Sequence, residues 1–254
     1  MEPWRAAAEK FIDTCTFKHD IACVFLTGSR AVGNGDEFSD IDVFIVLNDD
    51  VTYRERGSKR IDGLLVEYFA NPVRQVKKGI EECLLNVDTI DINMILSGIV
   101  IFNKNNVADD MIAFCKEKLA AGYPEMKKFD ERMGLYLLWD EYDELSRAYA
   151  HQRPDLTMHF HNFIQHAFEQ YSRYICSPVP GYQKLYRWLS DDTYRKNYGL
   201  APYKDPQFIE YMRNVFLCKD AKEIFDLASN IYHYVTDKMG GIDIDHFVMR
   251  GPCS

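Results

Sequence analysis

Asp40 and Asp42 stand one residue apart at the head of an apolar run, in "LTGSRAVGNGDEFSDIDVFIVLND", residues 26–49. In an extended chain, residues i and i+2 point to the same side, so the two carboxylates project together. Two like charges at that spacing are unfavourable unless a cation neutralises them or one is protonated. A hard divalent cation such as Mg²⁺ or Mn²⁺, which takes one or two carboxylates and fills its shell with phosphate oxygens and water, suits the pair. Gly28 and Ser29 close the preceding apolar run, IACVFLT, with ten residues between Ser29 and Asp40. The backbone N–H groups at the start of the short "RAVG" turn can cradle phosphate oxygens, and the Ser29 hydroxyl adds a donor. Gly33 and Gly35 let the loop turn back on itself.

Two-metal phosphoryl chemistry calls for a third acid. Glu67 in "LLVEYFA" is the candidate, because a charge between apolar strand residues is costly without a partner. If its strand lies beside "DIDVF", Glu67 faces the same point as a metal ligand, a general base or both. A lone Gly-Ser step is a common turn, and an Asp-x-Asp pair is often a solvated strand end. Their combination, in this order and followed by Glu67, carries the reading.

These residues need elements to position them. A helix over 2–18 has Trp4, Ala8, Phe11, Ile12 and Cys15 on one face. Strands are expected at "IACVFLTGS" and "SDIDVFIVLND", the second apolar enough to be covered on both faces. In "SKRIDGLLVEYFANP" the Asp62-Gly63 step is a hairpin turn signal, and the second arm stops at Asn71-Pro72. A helix starts at Pro72, and "ILSGIVIFNK" reads as a last strand. From Val107 onward the spacing turns to i, i+3, i+4, with Asp155, Asp205 and Asp220 placed as helix N-terminal acids. The expected fold is therefore α+β, a mixed-sheet domain over 1–106 and an all-α bundle over 107–254, with a hinge near "NKNN".

Composition bounds the partners. The 254 residues carry a formal net charge of −9, and no basic stripe of the kind that grips nucleic acid is present, so no long nucleic acid is expected. The charge balance favours a cationic small substrate over a polyanionic one. No apolar run approaches the length that spans a bilayer, and the N-terminus reads as a helix rather than a leader, so a cytoplasmic protein with no membrane partner is expected. The seven cysteines include no C-x-x-C pair and read as scattered free thiols. In "HFHNFIQH", 159–166, His159 and His161 fall on different sides of a helix, a poor arrangement for a metal.

The stretch "GSRAVGNGDEFSDIDVFIVL" resembles the signature of the nucleotidyltransferase superfamily that includes DNA polymerase beta and the aminoglycoside and lincosamide nucleotidyltransferases: Gly-Ser, about ten residues, Asp-x-Asp, and a third acid on a later strand. The matching positions are Gly28, Ser29, Asp40, Asp42 and Glu67. The third position carries Glu where many members have Asp. The two-part architecture is similar to that of bacterial antibiotic-modifying members with a C-terminal helical domain. The resemblance implies transfer of a nucleoside monophosphate, AMP from ATP or a moiety of another NTP, to a hydroxyl of a small-molecule acceptor, aminoglycoside-like among the options, with release of pyrophosphate. Asp40, Asp42 and Glu67 would be catalytic and hold Mg²⁺ or Mn²⁺. Gly28, Ser29, Arg30 and Ser39 would hold the nucleotide. In "CSPVPGYQKLYRWLSD", similar to a segment of bacterial members, Lys184 becomes a candidate phosphate contact, and the acids of "LWDEYDELSR", Asp140 to Glu144, become candidates for meeting a cationic acceptor. The alternatives are a protein-AMPylating enzyme and a nucleotide-binding regulatory module without turnover.

Overall fold

The computed structural model describes residues 2–178 and 180–250. The chain runs through α1 (Pro3–Asp13), β1 (Ile21–Thr27), α2 (Gly28–Ala31), β2 (Ile41–Leu47), β3 (Glu55–Ile61), β4 (Leu64–Pro72), α3 (Val73–Leu85), α4 (Ile90–Leu96) and β5 (Ile99–Asn103). It continues through α5 (Val107–Ala121), α6 (Lys128–Ala150), α7 (Leu156–Tyr174), α8 (Leu185–Ser190), α9 (Asp192–Asn197), α10 (Pro206–Asn214) and α11 (Ala221–Lys238). The fold is α+β: a mixed five-stranded sheet comes first and a largely helical region follows. None of the helices is long and apolar enough to cross a membrane among the described residues.

Two compact units divide the chain. The first takes Met1–Tyr123 together with Asp192–Leu200, and the second takes Pro124–Asp191 and Ala201–Ser254. Helix α5, read from sequence as the start of the helical half, belongs to the first unit. Its Ala108, Met111 and Cys115 are buried with Cys23 and Phe25 of β1, so its apolar face completes the sheet's core rather than a bundle. The return of 192–200 to the first unit has no counterpart in the local sequence pattern.

In the first unit the strand order is β3-β4-β2-β1-β5. Strand β1 is antiparallel to both β2 and β5, β2 is parallel to β4, and β3 is antiparallel to β4. Period-2 alternation sorts the side chains. Val43, Ile45 and Leu47 of β2 face α1 through Phe11 and Ile12, whereas Phe44 and Val46 face α3, α4 and α5. Both faces are thus covered, which is why β2 reads as a continuous apolar run. Burying each of these large aliphatic side chains contributes roughly 1.5–3 kcal/mol. The β3–β4 hairpin turns at Asp62 (φ 50°) and Gly63 (φ 87°), the paired left-handed residues of a type I′ turn. Ile95 and Leu96, expected to open the last strand, end helix α4 instead, and Gly98 follows before β5.

The second unit is built around α6, α7 and α11. Tyr142 and Tyr149, seven residues apart on α6, stack on Tyr232 and Phe225 of α11, with ring centroids 4.2 and 4.3 Å apart. The pairing order makes the two helices antiparallel. Phe163, Phe168 and Tyr171 of α7 are buried in the same unit. The six cysteines described are all free; Cys253 lies outside the described residues. Asp205 caps α10, accepting from the Gln207 and Phe208 amides at 3.1 Å, and also accepts from the Tyr171 and Tyr234 hydroxyls. Burial would raise its carboxyl, but these donors outweigh burial and hold it below the usual range. Asp205→Ala is expected to cost about 2–4 kcal/mol, a lost cap plus two tyrosine hydroxyls without their acceptor. Because the folded pKa is depressed, the carboxylate's contribution is complete above about pH 4 and is lost as pH falls through the folded value, so the gap between wild type and variant narrows in acid. Urea unfolding at pH 7 and pH 3 checks both.

Candidate active site

Strand β1 ends at Thr27, and the chain turns straight into the single turn α2 rather than an open loop. Val32 and Gly33 donate back to the Gly28 and Arg30 carbonyls, and Asn34 donates to Ser29 O at 2.8 Å. Asp36 then closes the next bend by accepting from the Phe38 amide and the Ser39 hydroxyl, both at 2.9 Å. The return brings Asp40 to the position immediately before β2.

Parallel pairing of β2 with β4 sets Asp42 opposite Glu67, and antiparallel pairing with β1 sets Thr27 on the other flank of Asp42. Asp42 and Glu67 share the face that carries Phe44 and Phe69, and Asp40, two residues before Asp42, continues it. Asp40, Asp42 and Glu67 each offer a carboxylate oxygen, and these oxygens lie within 4.8 Å of one another. All three residues are half-buried, so solvent does not dissipate their mutual repulsion fully. No other group of three or more potential metal-ligating side chains occurs among the described residues. The donor set is all oxygen and anionic, which fits a hard divalent cation better than a soft one.

Gly28 makes the approach possible. Its φ is +71°, and a Cβ built there would fall 1.8 Å from Asp42 Oδ2. Both the left-handed backbone and the space beside Asp42 require glycine. Ser29, the next residue, sits in the same turn.

The other sequence-singled residues divide. The Arg30 side chain donates through Nε to the Ser39 carbonyl at 2.9 Å and to the Asp40 carbonyl at 3.1 Å. It therefore ties the two ends of the glycine loop together and positions Asp40. The Ser39 hydroxyl is engaged with Asp36. Lys184 is exposed in the second unit, at the end of a 3-10 turn over Tyr182–Lys184. In that unit Glu141 pairs with His166, Asp143 with Arg147 at 2.6 Å, and Glu144 with Arg153 at 2.6 Å. Burial pushes the Glu141 carboxyl up, whereas the Arg153 hydrogen bond holds that of Glu144 down.

Two features escape local reading of the sequence. Asn197, at the end of α9, donates to Asn34 Oδ1 at 2.8 Å, so a segment distant in sequence braces the glycine loop. Ser58 of β3 pairs with Glu67, which makes β3 the outer neighbour of the acids. The first needs tertiary information. The second follows from counting back across the Asp62-Gly63 turn.

The nucleotidyltransferase domain family model matches residues 8–97, a span holding β1 to β4, the glycine turn and all three acids. The crystal structure of a nucleotidyltransferase-like protein from Exiguobacterium sibiricum 255-15 is similar at 10% sequence identity with a TM-score of 0.48, over 92% of this chain and 73% of that one. No curated protein matches the chain.

Gly28→Ala is expected to displace the Asp42 carboxylate and to place a left-handed alanine in the turn, costing roughly 1–2 kcal/mol for the backbone alone. The measurement is thermal unfolding with and without Mn²⁺. The wild type should gain stability with the ion and the variant should gain little.

Proposed function

We propose, for a chain whose residues 8–97 belong to the nucleotidyltransferase domain family, that it moves a nucleoside monophosphate from a nucleoside triphosphate to an acceptor hydroxyl and releases pyrophosphate. The resemblance points to AMP from ATP. The observation that carries the reading is the convergence of Asp40, Asp42 and Glu67 beside the Gly28–Ser29 turn.

Asp40, Asp42 and Glu67 would hold Mg²⁺ or Mn²⁺, which supplies charge neutralisation along the triphosphate and at the leaving group. The N–H groups of the α2 turn and the Ser29 hydroxyl orient the terminal phosphates on the β1 side of the acids. Arg30 keeps Asp40 at its place by its hold on the Ser39 and Asp40 carbonyls. Glu67, on the flank toward β4 and β3, takes the proton from the acceptor hydroxyl at a carboxylate oxygen. The acceptor oxygen then bonds to the α-phosphorus, the bond from that phosphorus to the bridging oxygen breaks, and pyrophosphate leaves toward the glycine turn. The preorganised backbone around these groups reduces the reorganisation that the reaction demands.

Asp42→Asn should lower turnover roughly 10²-fold or more, since an oxygen-ligand carboxylate is lost and a developing charge goes unmatched. Pyrophosphate release in the presence of Mg²⁺ or Mn²⁺, with a pooled acceptor library read by mass spectrometry for the gain of one nucleotide, tests it. A near-wild-type rate in the variant would reject the reading. Ser29→Ala removes one charge-assisted hydrogen bond while the backbone donors remain, so nucleotide use should weaken by about a factor of ten. Loss of folding in Ser29→Ala, seen by circular dichroism, would make the hydroxyl a structural element instead.

A further inference from the structure

Beyond Glu67 the β3–β4 hairpin continues with one more rung on the same face. Arg56 pairs with Phe69, the ladder ends at Glu55 and Ala70, and Arg54 and Asn71 lie just past that end. Arg54, Arg56, Phe69 and Asn71, with Glu55, line a cavity of about 330 Å³. That volume suits one end of a small molecule. Successive same-face rungs are roughly 7 Å apart, so the cavity begins about 7 Å from Glu67.

Its chemistry is cationic. Arg54 and Arg56 are exposed and make no ion pair or hydrogen bond among the described residues. The Arg56 guanidinium lies over the Phe69 ring, 4.5 Å from its centroid, so the ring is a platform for the cation. The Glu55 carboxylate is turned away, accepting from the Tyr68 hydroxyl at 2.6 Å on the opposite face. Asp91 on α4 is within electrostatic reach of Arg56 but forms no ion pair with it. By contrast, Arg60 on the same strand is tied to the Gly63 carbonyl and Lys59 to Thr14. Cations on an edge strand also discourage strand addition, but that role needs neither an aromatic platform nor a cavity.

The position selects the ligand. In the order β3-β4-β2-β1 the acids sit in the middle, the glycine turn on the β1 side and the cavity on the β3 side. In-line displacement puts the attacking and leaving oxygens on opposite sides of phosphorus. With pyrophosphate at the glycine turn, the acceptor must approach from the β4–β3 side.

We propose that the cavity bounded by Arg54, Arg56, Phe69 and Asn71 is the acceptor subsite, and that it takes an anionic group, carboxylate or phosphate, borne by the hydroxyl acceptor. This rests on the nucleotidyl-transfer reading above. It departs from the cationic acceptor that net charge favours, because two local arginines outweigh a distributed negative balance.

A set of sugars with one carbon skeleton tests it: glucose 6-phosphate, gluconate, glucose and glucosamine. Binding is measured by ligand-observed NMR to the whole chain with Mg²⁺ and a non-hydrolysable ATP analogue. Glucose 6-phosphate and gluconate should bind at least tenfold more tightly than glucose and glucosamine, and which of the two is tighter separates phosphate from carboxylate. Arg54→Gln/Arg56→Gln should erase that preference, with the ATP-analogue affinity changed less than twofold and the circular dichroism spectrum unchanged. Glucosamine binding as tightly as the anions, a preference that survives in the double variant, or an equal loss of ATP-analogue binding would each overturn the assignment. The last would give the arginines to the nucleotide. A wild type that holds the anions through these arginines yet transfers no nucleotide to any acceptor would count against the nucleotidyl-transfer reading and leave the anion site standing.

Discussion

Everything around the candidate site answers to the repulsion among three half-buried carboxylates. With a carboxylate oxygen of each within 4.8 Å of the others, ionised carboxylates here repel one another. The first unit meets that repulsion through backbone pairing. Asp42 and Glu67 occupy one rung of the parallel β2–β4 ladder, in strands whose alternate residues are buried under α1. Slipping the register by one residue would turn Glu67 away, but it would also drive Val66 and Ala70 out of the core. The same hydrophobic packing that stabilises the sheet therefore keeps the acids together. The close approach of Gly28 to Asp42 and the grip of Arg30 on the two carbonyls before β2 fix the remaining freedom.

Much of this was legible in sequence because it is local or periodic. The Asp-x-Asp spacing places two acids on one side, the apolar run of β2 announces cover on both faces, and Asp62-Gly63 marks a hairpin turn. Once those are accepted, Glu67 needs only a neighbouring strand. What stayed hidden depends on partners distant in sequence. The apolar face of α5 has the same i, i+3, i+4 spacing as a bundle helix, and nothing in Met111 or Cys115 says that the partner is Phe25 of the sheet. Arg30 beside a phosphate turn reads as a phosphate ligand, yet its reach to the Ser39 and Asp40 carbonyls is set by how the loop folds back. The Arg56–Phe69 contact emerges only when the hairpin is registered residue by residue.

The second unit uses different physics for its order. Aromatic rungs spaced seven residues apart on α6 and α11 set the axial register of two long helices, since stacked rings at 4.2–4.3 Å do not slide by one residue without losing contact. Its acids are largely spent on internal pairing, including Glu144 with Arg153 and Asp143 with Arg147. An acidic count in that stretch therefore overstates the free negative charge there.

The return of residues 192–200 to the first unit has a consequence during synthesis. The sheet, its helices and all three acids lie within the first 123 residues, but the side chain that braces Asn34 arrives only with Asn197. A ribosome adding roughly 5–20 residues per second needs on the order of 4–15 s to reach Asn197. During that interval the nascent sheet carries its carboxylates with the glycine loop lacking one brace. Vectorial folding thus delays the finished loop until Asn197 has emerged from the ribosome.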